Sequence, residues 1–136
     1  LPAEHINSPI LVMNGDIVAN INLERMIESH KSAGASMTVG SKLYNINIPF
    51  GVLQVMDGLV TGLKEKPDME VLVNAGFYML EPCVLKLIPP GEHLDMTELM
   101  ELSIDAGQIV SPFVLLDNWI DIGMPDQLQN AREKFR

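Results

Sequence analysis

The sequence predicts one α/β domain built on a mixed sheet, and three observations predict it. The apolar run Ile10-Leu11-Val12-Met13 is followed by a segment of helical period and then by a second strand-like run at 35–40, which makes a βαβ unit. The dipeptide Asp57-Gly58 lies between two apolar runs and marks a hairpin, whose strands are antiparallel. Two more helix starts, at Pro82 and Asp95, precede the last strands.

Each element has its own reason. Ile10 to Met13 reads as a strand buried on both faces, because the four residues are apolar without alternation. It ends in the turn Asn14-Gly15-Asp16, which sets a carboxylate at the carboxyl end of the strand, the edge where ligands collect in open α/β sheets. Asn22 can cap a helix to about Lys31, with Leu23, Met26, Ile27 and His30 on one face and Gly34 as its stop. Residues 35–40 should be a parallel neighbour or near neighbour of the first strand. Residues 41–49 show no clear period and read as a loop. The hairpin strands are 50–56 and 59–63, closed by Lys64-Glu65-Lys66-Pro67, since Pro67 cannot continue a ladder. Residues 70–80 read as a longer strand interrupted by Asn74-Ala75-Gly76; a Gly inside a strand marks a bulge or a close approach of ligand to backbone. Pro82 opens a short helix to about Leu87. The capping box Asp95-Met96-Thr97-Glu98 opens another to about Ala106, with Gly107 just beyond. Residues 109–116 and 118–121 are the last strands, and Pro125 starts a final helix with Leu128, Ala131 and Phe135 on one face.

Composition narrows the function. The 136 residues suffice for one domain with a modest core, and 47% hydrophobic with 20% charged residues is an ordinary globular balance. Nine Lys plus Arg against 18 Asp plus Glu give a net charge of −9, which repels polyphosphate backbones and argues against a nucleic-acid partner. An anionic small substrate would therefore need a metal ion or a local cluster of donors. The single Cys83 excludes an internal disulfide, and the three His with one Cys have no zinc-ligand spacing. No apolar run is long enough to cross a bilayer and no signal-peptide pattern is present, so a reducing cytoplasm is the expected compartment. The chain opens Leu-Pro-Ala-Glu, without Met, and its first strand follows almost at once. It reads as a piece of something longer.

Two strand-end carboxylates stand out. Asp16 is either a turn aspartate bonded to its own backbone or a site residue. Asp121, in Asn118-Trp119-Ile120-Asp121-Ile122-Gly123, is either a cap at the start of a helix or the second carboxylate of a divalent-cation site; Mg²⁺ commonly takes one or two protein carboxylates and leaves its other positions to phosphate and water. Glu65-Lys66 reads first as a solvated charge pair worth about 0–1 kcal/mol, and alternatively as a clamp in which Lys66 takes a phosphate and Glu65 a hydroxyl. Gly51 and Gly76 are packing necessities or places where a sugar meets backbone N–H groups. Trp119 and the nine Met read as core. His5, His30 and His93 have no partner visible in sequence, and no serine lies in a nucleophile-elbow context.

Taken in order, Leu11-Val12-Met13-Asn14-Gly15-Asp16, Pro49-Phe50-Gly51-Val52, Glu65-Lys66-Pro67, Asn74-Ala75-Gly76-Phe77-Tyr78 and Trp119-Ile120-Asp121-Ile122-Gly123-Met124-Pro125 resemble the sugar-1-phosphate nucleotidyltransferase family, which includes mannose-1-phosphate guanylyltransferases and glucose-1-phosphate thymidylyltransferases. The resemblance implies a nucleotide-diphosphosugar-transferase fold of Rossmann-like type. It implies transfer of a nucleotidyl group from an NTP, with GTP or dTTP foremost, to a sugar 1-phosphate, releasing pyrophosphate. Asp16 and Asp121 would hold Mg²⁺, Lys66 would meet the sugar phosphate, Glu65 the sugar hydroxyls, and the backbone at Gly51 and at Asn74 to Gly76 would line the sugar pocket. The family's Gly-rich signature, of the form Gly-Gly-x-Gly-Thr-Arg-Leu, which wraps NTP phosphates with backbone N–H groups, is absent from this chain. Residues 1–136 are therefore expected to be a single domain, the C-terminal, sugar-phosphate-binding part of an incomplete fold, inactive alone and prone to self-association through uncovered sheet edges, with homo-oligomers the expected state. Two other readings stay open: a metal-dependent glycosyltransferase of related fold using Asn14-Gly15-Asp16, against which Glu65-Lys66-Pro67 and the Trp119 motif argue, and a non-catalytic regulatory or assembly subunit.

Overall fold

The computed structural model describes residues 7–116 and the backbone of residues 119–121. The elements are β1 (Ile10–Met13), β2 (Ile17–Ala19), α1 (Leu23–Ala33), β3 (Met37–Asn47), β4 (Val52–Met56), β5 (Leu59–Lys64), β6 (Asp68–Leu80), α2 (Pro82–Leu85), α3 (Met96–Asp105), β7 (Val110–Val114) and β8 (Trp119–Asp121). They form two compact units, one of residues 1–42 and 74–136 and one of residues 43–73.

In the first unit a four-stranded sheet has the order β1-β6-β3-β7. β1 runs antiparallel to β6, with Ile10 opposite Leu80 and Met13 opposite Phe77, while β3 runs parallel to β7, with Met37 opposite Val110. The sheet is thus mixed. Strand side chains alternate between faces, and the core divides accordingly. Ala75, Phe77 and Met79 of β6 join Phe113, Leu115 and Met26 of α1 on one face. Tyr78 and Leu80 join Met37, Val39, Val84 of α2 and Leu99 of α3 on the other. Gly40 of β3 has no side chain because the Phe77 ring fills that space: a Cβ there would stand 2.1 Å from the ring.

The helices start and stop as their caps require. Asn22 Oδ1 accepts from the Arg25 N–H, and Gly34, at φ 59°, closes α1 in the left-handed conformation. α3 opens on the Asp95–Glu98 capping box, with Gly107 at φ 72° beyond its end. His30, to which the sequence assigned no partner, is 2% exposed and ties α1 to two other elements. Its Nε2–H donates to the Glu81 carboxylate, which can only accept (3.3 Å), and Nδ1 then accepts the Thr38 hydroxyl proton (2.7 Å).

In the second unit the β4–β5 hairpin turns at Asp57 and Gly58, with φ of 51° and 79°, the pair of positive values that a type I′ turn demands. Leu53 faces Leu63 and Met56 faces Leu59 across the ladder, with a bulge between Gln54 and Val55. Leu53, Val55, Met56, Leu59, Val60 and Leu63 are 57–71% exposed.

Several expectations are corrected. β1 is not buried on both faces: it lies at the edge of the sheet, and Leu11 and Met13 are exposed on one side. With β6 between them, β1 and β3 are near neighbours, one of the two arrangements expected for the ends of the βαβ unit. Residues 41–49 are not a loop; β3 continues to Asn47, because a strand exposed on both sides needs no alternation. β2, too short to show a period, was not foreseen. α2 ends at Leu85 rather than Leu87, and β7 is shorter than 109–116. The helix expected after Pro125 and the Trp119 side chain lie outside the described residues.

Candidate functional site

The geometry starts at Gly76. In the middle of β6 its φ is +73°, a value that a residue with a Cβ adopts only at a cost. Its carbonyl accepts the Asn14 N–H at 2.9 Å, one step beyond the β1–β6 register. A Cβ at position 76 would stand 2.8 Å from Asn14 Nδ2 and 2.3 Å from Ile17 Cδ1. The turn 14–16 therefore sits directly on a residue that has to be glycine. Gly15, by contrast, has open space around it.

From that seat the chain enters β2, which pairs antiparallel with β8: Ile17 opposite Asp121, Val18 opposite Ile120, Ala19 opposite Trp119. Ala19 and Ile21 pack against the Met26–Phe77 cluster and hold this end of the chain to the core. Asp16 precedes Ile17 by one residue. It therefore stands one chain position from the residue paired with Asp121. Asp16 is exposed and lies in the turn, before strand alternation begins. The Asp121 side chain lies outside the described residues. Among the described residues no group of three or more His, Cys, Asp or Glu forms a metal cage. A turn carboxylate at Asp16 and a strand residue Asp121 one ladder step away are compatible in residue type with an ion such as Mg²⁺, which takes one or two protein carboxylates.

Asn74 and Gly76 are brought together by the same bulge. Asn74 Oδ1 accepts the Gly76 N–H at 2.9 Å, and Asn74 Nδ2 donates to the Tyr78 hydroxyl at 2.7 Å. The Asn74 carboxamide thus shapes its own backbone while remaining exposed at the surface.

The second unit holds Gly51, Glu65 and Lys66. Gly51 lies against Glu65: a Cβ on it would stand 3.0 Å from Glu65 Oε2 and from Leu63 Cδ1. Lys66 has φ +43°, which is rare for a side-chain-bearing residue, and strain of this kind clusters at functional sites. The chain just after the turn is anchored by the Ile48 N–H donating to the Pro67 carbonyl (3.2 Å) and by Asn47 Nδ2 donating to Asp68 Oδ1 (2.9 Å). Both charged side chains are exposed.

Sequence reasoning singled out Asp16, Asp121, Gly51, Glu65, Lys66, Asn74 and Gly76 but missed Asn14 and Tyr78. Asn74-x-Gly76 carried a readable signal, since Asn side chains habitually bond the backbone two residues on. Tyr78 carried none.

Residues 2–136 match the sequence pattern of the nucleotidyl transferase family. Mannose-1-phosphate guanylyltransferase 1 of Arabidopsis thaliana is 32% identical over 129 residues, covering 86% of this chain and 33% of its own length. UTP–glucose-1-phosphate uridylyltransferase of Synechocystis sp. is 30% identical over 134 residues, 90% of this chain and 34% of its own. The chain thus spans about a third of the length of the curated relatives it matches. Among solved structures, HddC from Yersinia pseudotuberculosis superposes with a TM-score of 0.63 at 21% identity, covering 98% of this chain and 59% of that one, and shares its fold.

The seat makes a direct prediction. Gly76→Ala should destabilise the intact protein by roughly 2–4 kcal/mol, adding left-handed strain to a steric clash. Gly15→Ala should stay within about 0.5 kcal/mol. Urea denaturation of both variants checks this, and equal effects would show that the turn does not rest on residue 76.

Proposed function

Since this chain belongs to the nucleotidyl transferase family, we propose that the intact protein transfers a nucleotidyl group from an NTP to a sugar 1-phosphate. The observation that supports the reading is the β2–β8 register, in which Ile17, the residue after Asp16, pairs with Asp121. In the reaction a sugar-phosphate oxygen attacks the α-phosphorus in line, the bond to the β-phosphate breaks, and pyrophosphate leaves. Both partners are anions, so positioning and charge neutralisation make up most of the catalytic task.

Asp16 and Asp121 are the pair that would hold Mg²⁺, which when bound supplies the positive charge that lets the two phosphates approach. Lys66, on a strained backbone, is the candidate cation for the phosphate of the sugar 1-phosphate, and Glu65 the candidate acceptor of hydrogen bonds from its hydroxyls. Gly51 and, separately, the bulge at Asn74 to Gly76 are the candidate backbone segments for contact with the sugar. Relatives of this chain bear the names of guanylyl- and uridylyltransferases; GTP and dTTP head the panel of NTPs to try, followed by UTP. Among the described residues no helix is long and apolar enough to cross a membrane; a reducing cytoplasm is the compartment proposed.

The test is an assay of the intact protein with sugar 1-phosphates and NTPs, reading nucleotide sugar and pyrophosphate. Asp16→Asn and Asp121→Asn should each abolish turnover while changing stability by less than about 1–2 kcal/mol. Turnover in both variants would remove the carboxylate pair from the reaction. Product formed only from a nucleotide sugar and an acceptor would make the protein a glycosyltransferase instead.

Residues 1–136 on their own should self-associate. β1 is an edge strand without charge or proline, and a groove of about 290 Å³ beside it is lined by Leu11, Leu23, Ile27 and Met79. Light scattering over a concentration series should show mass rising with concentration; a constant monomer mass would refute this.

A further inference from the structure

Asn74 and Tyr78 lie four residues apart on one strand, yet their side chains are hydrogen-bonded at 2.7 Å. In a straight strand such residues are about 13 Å apart, and side chains standing off the strand do not bridge that gap. The bond exists because the positive φ at Gly76 folds the strand between them. The converse holds as well. An N–H can only donate, so Asn74 Oδ1 must face the Gly76 amide, and that leaves Nδ2 for the Tyr78 hydroxyl. Fixing Nδ2 therefore fixes which way the carboxamide faces. Tyr78 itself is 3% exposed and its ring is part of the cluster around Met37 and Leu99, so its hydroxyl is a rigid post set in the core. Asn74, by contrast, faces solvent, where water competes for both ends of its amide.

We propose that Tyr78 is a positioning residue for the sugar 1-phosphate: its hydroxyl holds the Asn74 carboxamide, which holds the Gly76 N–H, so that the bulge at 74–76 keeps one shape when the sugar arrives. The inference rests on the nucleotidyltransferase reading above. Tyr78 touches no substrate. It acts through Asn74, and the Gly76 carbonyl carries the same constraint on to Asn14 and the Asp16 turn.

The experiment is a double-mutant cycle in the intact protein with Tyr78→Phe and Asn74→Ala. Phe keeps the ring and the core volume and removes only the hydroxyl. Tyr78→Phe should raise KM for the sugar 1-phosphate about three- to tenfold, the factor that one neutral hydrogen bond carries, with kcat and the KM for NTP changed less than about twofold. It should add nothing in the Asn74→Ala background, because both changes break one chain of bonds. Amide hydrogen exchange at Gly76, read without substrate, should quicken in Tyr78→Phe. An active protein whose KM and Gly76 exchange are both unmoved by Tyr78→Phe, or in which the two substitutions act additively, overturns the inference and leaves the function standing. A wild-type protein that makes no nucleotide sugar overturns the function and this inference with it.

Discussion

At Gly76 the backbone of β6 turns to positive φ, and the Asn14 carboxamide rests where a side chain would have been. Much of the first unit's functional end follows from that one contact. The Asn14 N–H bonds the Gly76 carbonyl, so β1 hands the chain over to the turn at a fixed point. Ile17 closes on the same glycine, which starts β2 in place, and β2 in turn fixes the register of β8. A methyl group at residue 76 would push on two of these at once. Loops that present carboxylates are ordinarily mobile; this one is seated on a buried strand whose neighbours, Phe77 and Tyr78, belong to the two faces of the core.

The electrostatic demand explains why so small a constellation is enough. A chain of net charge −9 does not attract phosphates by its overall field. Under the proposed function it would have to do so locally, with a cation held by carboxylates and an ammonium near the phosphate. Lys66 has positive φ, and the chain just after it is held by bonds to Pro67 and Asp68. Conformational strain of this kind, on the order of 1–3 kcal/mol, is enriched at functional sites.

What was legible in the sequence divides along physical lines. Local signals were read correctly: Asn22 and Gly34 at the ends of α1, Asp57-Gly58 in the hairpin, the Asp95–Glu98 box, and a disturbance of the strand at Asn74 to Gly76. These depend on residues within a few positions of one another. Contacts between distant segments were not legible. The β2–β8 pairing joins residues about a hundred positions apart through strands of three residues each, too short for any period to show. The same holds for His30, whose partners Thr38 and Glu81 come from a neighbouring strand and from the end of β6, and for Tyr78, whose bond exists only because the strand is kinked. β1 looked buried because it is uniformly apolar; its place at the edge of the sheet is a matter of topology, which four residues do not encode. The candidate site residues were singled out by their places at strand ends, turns and strand glycines, and the order of the motifs supplied the resemblance that gave them roles; periodicity supplied only the α/β class.

The central claim is that the β2–β8 ladder brings Asp16 and Asp121 together to hold one divalent cation. Anomalous diffraction from crystals of the intact protein soaked with Mn²⁺ and a sugar 1-phosphate tests it most directly. The account predicts a single strong peak within coordination distance, about 2.0–2.6 Å, of carboxylate oxygens from both residues. A peak bound by neither residue, with substrate in place, would contradict it.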